Sequence, residues 1–251
     1  MMGQMRTRLR RAAHVNGDTE RNNMSTTVRL IVGLLLALLV LIVCGAVTSV
    51  VMLAQSMKPS PWTSAVTSSA MLILSLILMY LFSKGAISTY GLKSVRWRDL
   101  LGPVLIGLAV GGALAGVGLL LPQGEEPEFV KGFSLLQIVI LIFIFASIAE
   151  EFLTRGFLLS FLAPLSRHGL TAFKLYFSLP VLVSALFFGL MHIALLGQGA
   201  NVPSVLFVVC SAVVLGIIAG YFREKSGSIV PAIVVHMTFN FWGVVEKLVS
   251  G

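Results

Sequence analysis

Charged side chains are scarce in this sequence, at 11% of 251 residues, whereas 57% are hydrophobic and the mean hydropathy is +0.97. Soluble domains run to ~45–50% apolar and about 25% charged, so a water-soluble globule is excluded. Cysteine is nearly missing as well: Cys44 and Cys210 fall in separate apolar runs with no metal-ligand spacing. That excludes a disulfide framework and leaves both expected as small buried core side chains. No internal repeat is visible, which weighs against transporters built from duplicated halves. A small-residue cleavage site is not evident either, and the first apolar run is too long for a signal peptide, so it reads as a retained anchor.

What the chain does have is a series of long apolar runs. Seven are long enough for the ~20 residues a membrane helix needs, at roughly 28–55, 65–88, 99–121, 134–162, 179–197, 203–222 and 229–249. The expectation is an all-α polytopic membrane protein of about seven spans (six to eight), occupying residues 28–251. Residues 1–27 read as a basic, disordered tail, and Met24-Ser25-Thr26-Thr27 would itself make a plausible start. A net charge of +8 is common in nucleic-acid binders, but here the basic residues follow topology instead. Arg6, Arg8, Arg10, Arg11, Arg21 and Arg29, then Lys84, Lys93, Arg96 and Arg98, then Arg167 and Lys174, then Arg223 and Lys225, occupy alternate connections. The opposite set holds only Lys58, Lys131 and Lys247, with an acidic group at Glu125, Glu126 and Glu128. By the positive-inside rule the N-terminus is cytoplasmic. The expected setting is the plasma membrane of a prokaryote, with the bilayer and no nucleic acid as partner; the oligomeric state is not readable.

Glycines punctuate the third span (Gly107, Gly111, Gly112, Gly116) and the sixth (Gly216, Gly220) at small-xxx-small spacing, which lets a neighbouring helix approach closely. Pro180, Pro203 and Pro231 fall in first turns, where proline costs least.

The fourth span breaks the apolar rule with Glu150, Glu151 and Arg155. Each charge near the middle of a membrane helix costs ~2.5–3.5 kcal/mol on insertion scales, so three cost roughly 8–10 kcal/mol before pairing offsets it. At ~100° per residue, Glu151 and Arg155 share a face and can pair, whereas Glu150 points away from them. Glu151–Arg155 is then a supporting ion pair, and Glu150 is free to face a cavity. The alternative is that all three form a packing network. His192 lies deep in the fifth span, and His236 and Asn240 lie four residues apart on one face of the seventh. At 1.5 Å per residue, Glu150, His192 and Asn240 all sit roughly 18 Å, and His236 roughly 12 Å, from the inner ends of their spans. Three helices therefore deliver two imidazoles, a carboxylate and a carboxamide to one level.

Such a set suits amide hydrolysis. Glu150 can act as general base on a water held between it and His192, and His236 with Asn240 can donate to the oxyanion. Water must reach that level, so the expectation includes a pocket within the bundle, open to the cytoplasm.

Glu150 to Arg155 reads EExxxR, Phe188 to His192 reads FxxxH, and His236 to Asn240 reads HxxxN. Their order and spacing resemble the CAAX-protease and bacteriocin-processing (CPBP, also called Abi) family of intramembrane proteases, which includes the Ras-converting type of CAAX endopeptidase. The stretch Gly216 to His236 resembles the family's approach to its last motif, and the likeness covers about residues 134–245. It implies an endopeptidase acting on a membrane-associated or prenylated CAAX-type protein or peptide. Glu150 and His192 would be the water-activating pair, His236 and Asn240 the oxyanion side, and Glu151 with Arg155 the support. The family is often labelled metallopeptidase, and Glu150, His192 and His236 could ligate zinc with an open position. A metal-free glutamate mechanism is favoured, because HExxH is absent and Asn240 suits an oxyanion better than a metal. No GxSG serine and no pair of membrane aspartates is present. The rival readings are a catalytically silent membrane scaffold or immunity protein and, further off, an ion-coupled transporter using the same acids and histidines as a relay.

Overall fold

The computed structural model describes residues 24–55, 60–120 and 132–250. The tail expected before Met24 and the acidic connection at Glu125, Glu126 and Glu128 lie outside those residues. Among the described residues, seven helices are long and apolar enough to cross a membrane. They are α1 (Thr26–Ala54), α2 (Pro61–Ser83), α3 (Trp97–Gly118), α4 (Leu135–Leu165), α5 (Leu179–Gln198), α6 (Val202–Ser226) and α7 (Val230–Ser250). The chain is an all-α, multi-pass membrane protein, as its composition requires.

Helix starts follow from local chemistry. The side chains of Ser25, Ser134, Ser178 and Asn201 each accept a hydrogen bond from a backbone N–H of the first turn, which satisfies one of its unpaired donors. Pro61, Pro180 and Pro203 occupy the first turns of α2, α5 and α6, where the missing N–H is not needed.

Two features escaped the hydropathy pattern. First, α4 is not a uniform α-helix: Ile138–Ala146 and Phe152–Leu158 are wound as π-helix, with an α-helical turn at Ser147–Glu151 between them. Second, the connection between α4 and α5 is a β-hairpin, β1 (Gly169–Ala172) and β2 (Leu175–Ser178), paired antiparallel with Gly169 opposite Ser178. A two-residue turn at Phe173-Lys174 joins the strands. It lacks the Asn-Gly signature that marks such turns in a sequence.

Bundle order is set by small residues. α3 packs along α7, α5 along α6, and α1 along α2. A Cβ added at Gly107 would clash with Thr238 Oγ1 and meet the Val235 carbonyl at 2.8 Å, and one at Gly111 would meet the Phe239 carbonyl at 2.6 Å. The two backbones touch there, and the Trp242 indole N–H donates to the Leu108 carbonyl at 2.9 Å. Gly116 has open space instead and takes no part in the contact. On α6, Gly216 lies against Ala185 of α5, and Gly220 against Val181. Cys44 is buried, as expected, but Cys210 is exposed. The packed face of α6 runs through Ser211, Leu215 and Ala219, which turns residue 210 outwards.

Connections rich in Lys and Arg gather at one end. Arg29 donates to the Phe161 carbonyl at 3.1 Å, the Ile229 N–H to the Gly91 carbonyl at 2.9 Å, and Arg223 to Ser160 Oγ at 2.9 Å. Ser178 donates to Glu224 at 2.6 Å. Segments at both ends of the chain thus close one basic face of the bundle.

The α3–α7 contact leads to a test. Gly107→Ala should destabilise the bundle by the ~1–3 kcal/mol typical of an overpacked core, read as a lower melting temperature in detergent. Gly116→Ala, with nothing within 4 Å, should leave it unchanged.

Candidate active site

The site is built on the α-helical turn of α4 and the facing turn of α7. The two helices run antiparallel, and both space their polar residues by four. Asn240 Nδ2 donates to Ser147 Oγ at 3.3 Å, and one turn along His236 Nδ1 lies 3.0 Å from Glu151 Oε1. Equal spacing on opposed helices puts both contacts in a single register.

Glu151 is the hinge of the cluster. The same Oε1 accepts from Arg155 Nη1 at 2.9 Å, and both side chains are fully buried. Arg155 Nη1 also reaches Thr154 Oγ1 at 2.7 Å, and that hydroxyl donates to the Glu150 carbonyl at 2.6 Å. The guanidinium lies over the Phe188 ring, 4.6 Å from its centroid, a cation–π contact that offsets part of its desolvation. Gly216 of α6 makes room for it, since a Cβ there would stand 2.8 Å from Arg155 Nη2.

Glu150 approaches the other side of the same imidazole: its Oε2 is 3.7 Å from His236 Nε2. The helical wheel separates the two glutamates onto different faces, but the structure makes both converge on His236, one at each ring nitrogen. The reason is that His236 lies between them and has a nitrogen on each side. Glu150 keeps 21% of its side-chain exposure while His236 keeps 3%, so the carboxylate is the reachable edge of the pair.

His192 stands within α5 at the switch from α-helix to 3-10 turns (His192–Gln198) and is half-buried. Its Nδ1 lies 2.8 Å from the Phe188 carbonyl. A carbonyl can only accept, so Nδ1 carries a proton and donates it, which leaves Nε2 on the free edge of the ring. Phe188 stands edge-to-face against both histidines, with centroid separations of 5.1 Å to His192 and 5.3 Å to His236. One buried ring therefore spaces two imidazoles and seats an arginine. Its place at the head of FxxxH was visible in the sequence; that role was not. Ser147 and Thr154 were also missed, because a lone hydroxyl in a membrane helix looks like any back-bonded serine or threonine.

Among the described residues no three His, Cys, Asp or Glu side chains form a group that could hold a metal ion. The set Glu150, His192 and His236 is thus not gathered as zinc ligands in this structure. Two grooves of about 280 and 310 Å³ lie between α1 and α5 and between α2 and the start of α4. Both are lined almost wholly by apolar side chains, and neither includes Glu150, His192, His236 or Asn240.

These features define a multi-pass helical membrane protein with a buried Glu–Arg–His cluster shared by two helices. Residues 132–242 match the model of the family described as type II CAAX prenyl endopeptidase, Rce1-like. That segment, which carries all three motifs, is similar to the Rce1-like family, and the likeness read from EExxxR, FxxxH and HxxxN is borne out. No curated protein and no solved structure matches the chain.

The ion pair can be tested apart from activity. Arg155→Met leaves Glu151 buried without its cation and should cost ~3–5 kcal/mol of stability. Adding Glu151→Leu should recover part of that loss, as read by thermal unfolding in detergent.

Proposed function

We propose that this chain is a CAAX-type intramembrane endopeptidase that hydrolyses a peptide bond in a membrane-associated or prenylated protein, with water activated by Glu150 and His192. The convergence of two glutamates on His236, with Asn240 one turn further on, is the observation that carries this reading. Glu150 takes a proton from water, which His192 orients by accepting a second hydrogen bond at Nε2. The hydroxide attacks the carbonyl carbon. The oxyanion is met by the His236 Nε2–H and the Asn240 carboxamide. Glu150 then returns its proton to the departing amine as the C–N bond breaks, so base and acid are the same group.

In this scheme His236 is oriented by Glu151, which meets Nδ1 and turns Nε2 towards Glu150. The basic face with its β-hairpin is then cytoplasmic by the positive-inside rule. The mechanism is proposed as metal-free because HExxH is absent and Asn240 suits an oxyanion better than a metal. Activity that survives a chelator supports it; activity lost and restored by zinc overturns it.

With a prenylated CAAX peptide in proteoliposomes, Glu150→Gln and His192→Ala should each lower turnover ~10²–10⁴-fold. Asn240→Ala should lower it ~10²–10³-fold. All three should still yield a folded, membrane-inserted protein. Undiminished cleavage by both Glu150→Gln and His192→Ala refutes the assignment.

A further inference from the structure

We infer that the β1–β2 hairpin is an interfacial anchor, which sets Phe173 into the headgroup–acyl boundary of the membrane and Lys174 and Arg167 against anionic headgroups. The first observation is at the tip. Phe173 is 95% exposed, the most exposed large apolar side chain described. Phe173 and Lys174 both adopt positive φ, at 50° and 63°. Bulky residues rarely take that conformation, and Asn-Gly would hold the same turn with less strain. A strained, solvent-facing phenylalanine is explained by what its side chain touches, not by the turn it makes.

The second observation is the hairpin's two-sidedness. Cross-strand pairing puts Leu170 opposite Phe177 and Ala172 opposite Leu175 on one face, with Thr171 opposite Tyr176 on the other. On the apolar face Leu170 is 49% and Leu175 41% exposed. On the polar face the Tyr176 hydroxyl donates to the Ser166 carbonyl, which ties the hairpin to the end of α4. An apolar face with an aromatic tip and flanking cations is the composition of an interfacial segment.

Position and charge select the occupant. β1 follows the end of α4 closely and β2 runs directly into α5. Four-residue strands reach about 13 Å, so the tip cannot leave the neighbourhood of the bilayer surface. From Ala163 to Ser178 the chain has no acidic residue, while Arg167 and Lys174 are exposed. That balance fits anionic lipid on the basic face of the bundle. An extended substrate strand is a weaker fit, because nothing on the hairpin complements a peptide beyond its bare edge.

The test uses the full chain in vesicles of phosphatidylcholine and phosphatidylglycerol. In Phe173→Trp, read against the wild-type background of Trp62, Trp97 and Trp242, the added emission should be blue-shifted. It should be quenched more by lipids brominated near the glycerol end of the chain than near the methyl end. Water-like, unquenched emission overturns the proposal, and so does a shift seen only when a CAAX-type peptide is added. Phe173→Asn with Lys174→Gly suits the turn and should keep the wild-type melting temperature in phosphatidylcholine. It should lose the added stability that phosphatidylglycerol gives the wild type; an equal response to phosphatidylglycerol in both proteins overturns the anchor.

Discussion

The contact between Glu151 and His236 is the constraint on which the rest of this molecule turns. It joins α4 to α7 through one carboxylate oxygen that also holds Arg155, all of it out of water. An uncompensated charge at that depth would expel the helix or force it to reorganise. The fold is therefore obliged to hold α4 and α7 in one register. The Asn240–Ser147 contact one turn along repeats that register.

Much of the packing serves this requirement. α7 can lie where it does because α3 offers it Gly107 and Gly111, so that backbone meets backbone. Arg155 fits because α6 has Gly216 beside it and α5 supplies the face of Phe188. Without a hydrophobic drive between helices in lipid, such close approach and the few polar contacts across it are what holds a bundle together. The glycines and the charged cluster are thus two halves of one solution: small residues bring the helices near enough for a costly polar group to find its partners.

Winding and exposure then shape the chemistry. Glu150 and Glu151 sit on a short α-helical turn flanked by π-helix, a form often found at functional positions. Glu150, His192 and Asn240 keep partial exposure, whereas Glu151, Arg155 and Ser147 have essentially none. The reachable groups are those suited to meet water and substrate, and the buried ones orient them. At the basic end, a hairpin of opposite character faces outwards with its aromatic tip.

Hydropathy and the alternation of Lys and Arg were enough to read seven helices and their alternating ends, because in a bilayer a helix must satisfy its own backbone and its length is set by membrane thickness. The spacing in EExxxR and HxxxN was enough to mark Glu150, Glu151, Arg155, His236 and Asn240 as candidates, since residues four apart share a face. Which of them touch was beyond it. The wheel parts Glu150 from Glu151, and only the placement of α7 between them returns both to His236. Cys210 faces outwards although its run is as apolar as that of Cys44, because hydropathy does not distinguish lipid from core. Phe188, Ser147 and the hairpin turn were silent for a related reason: their roles depend on neighbours from distant segments, and no local pattern in a sequence encodes who those neighbours are.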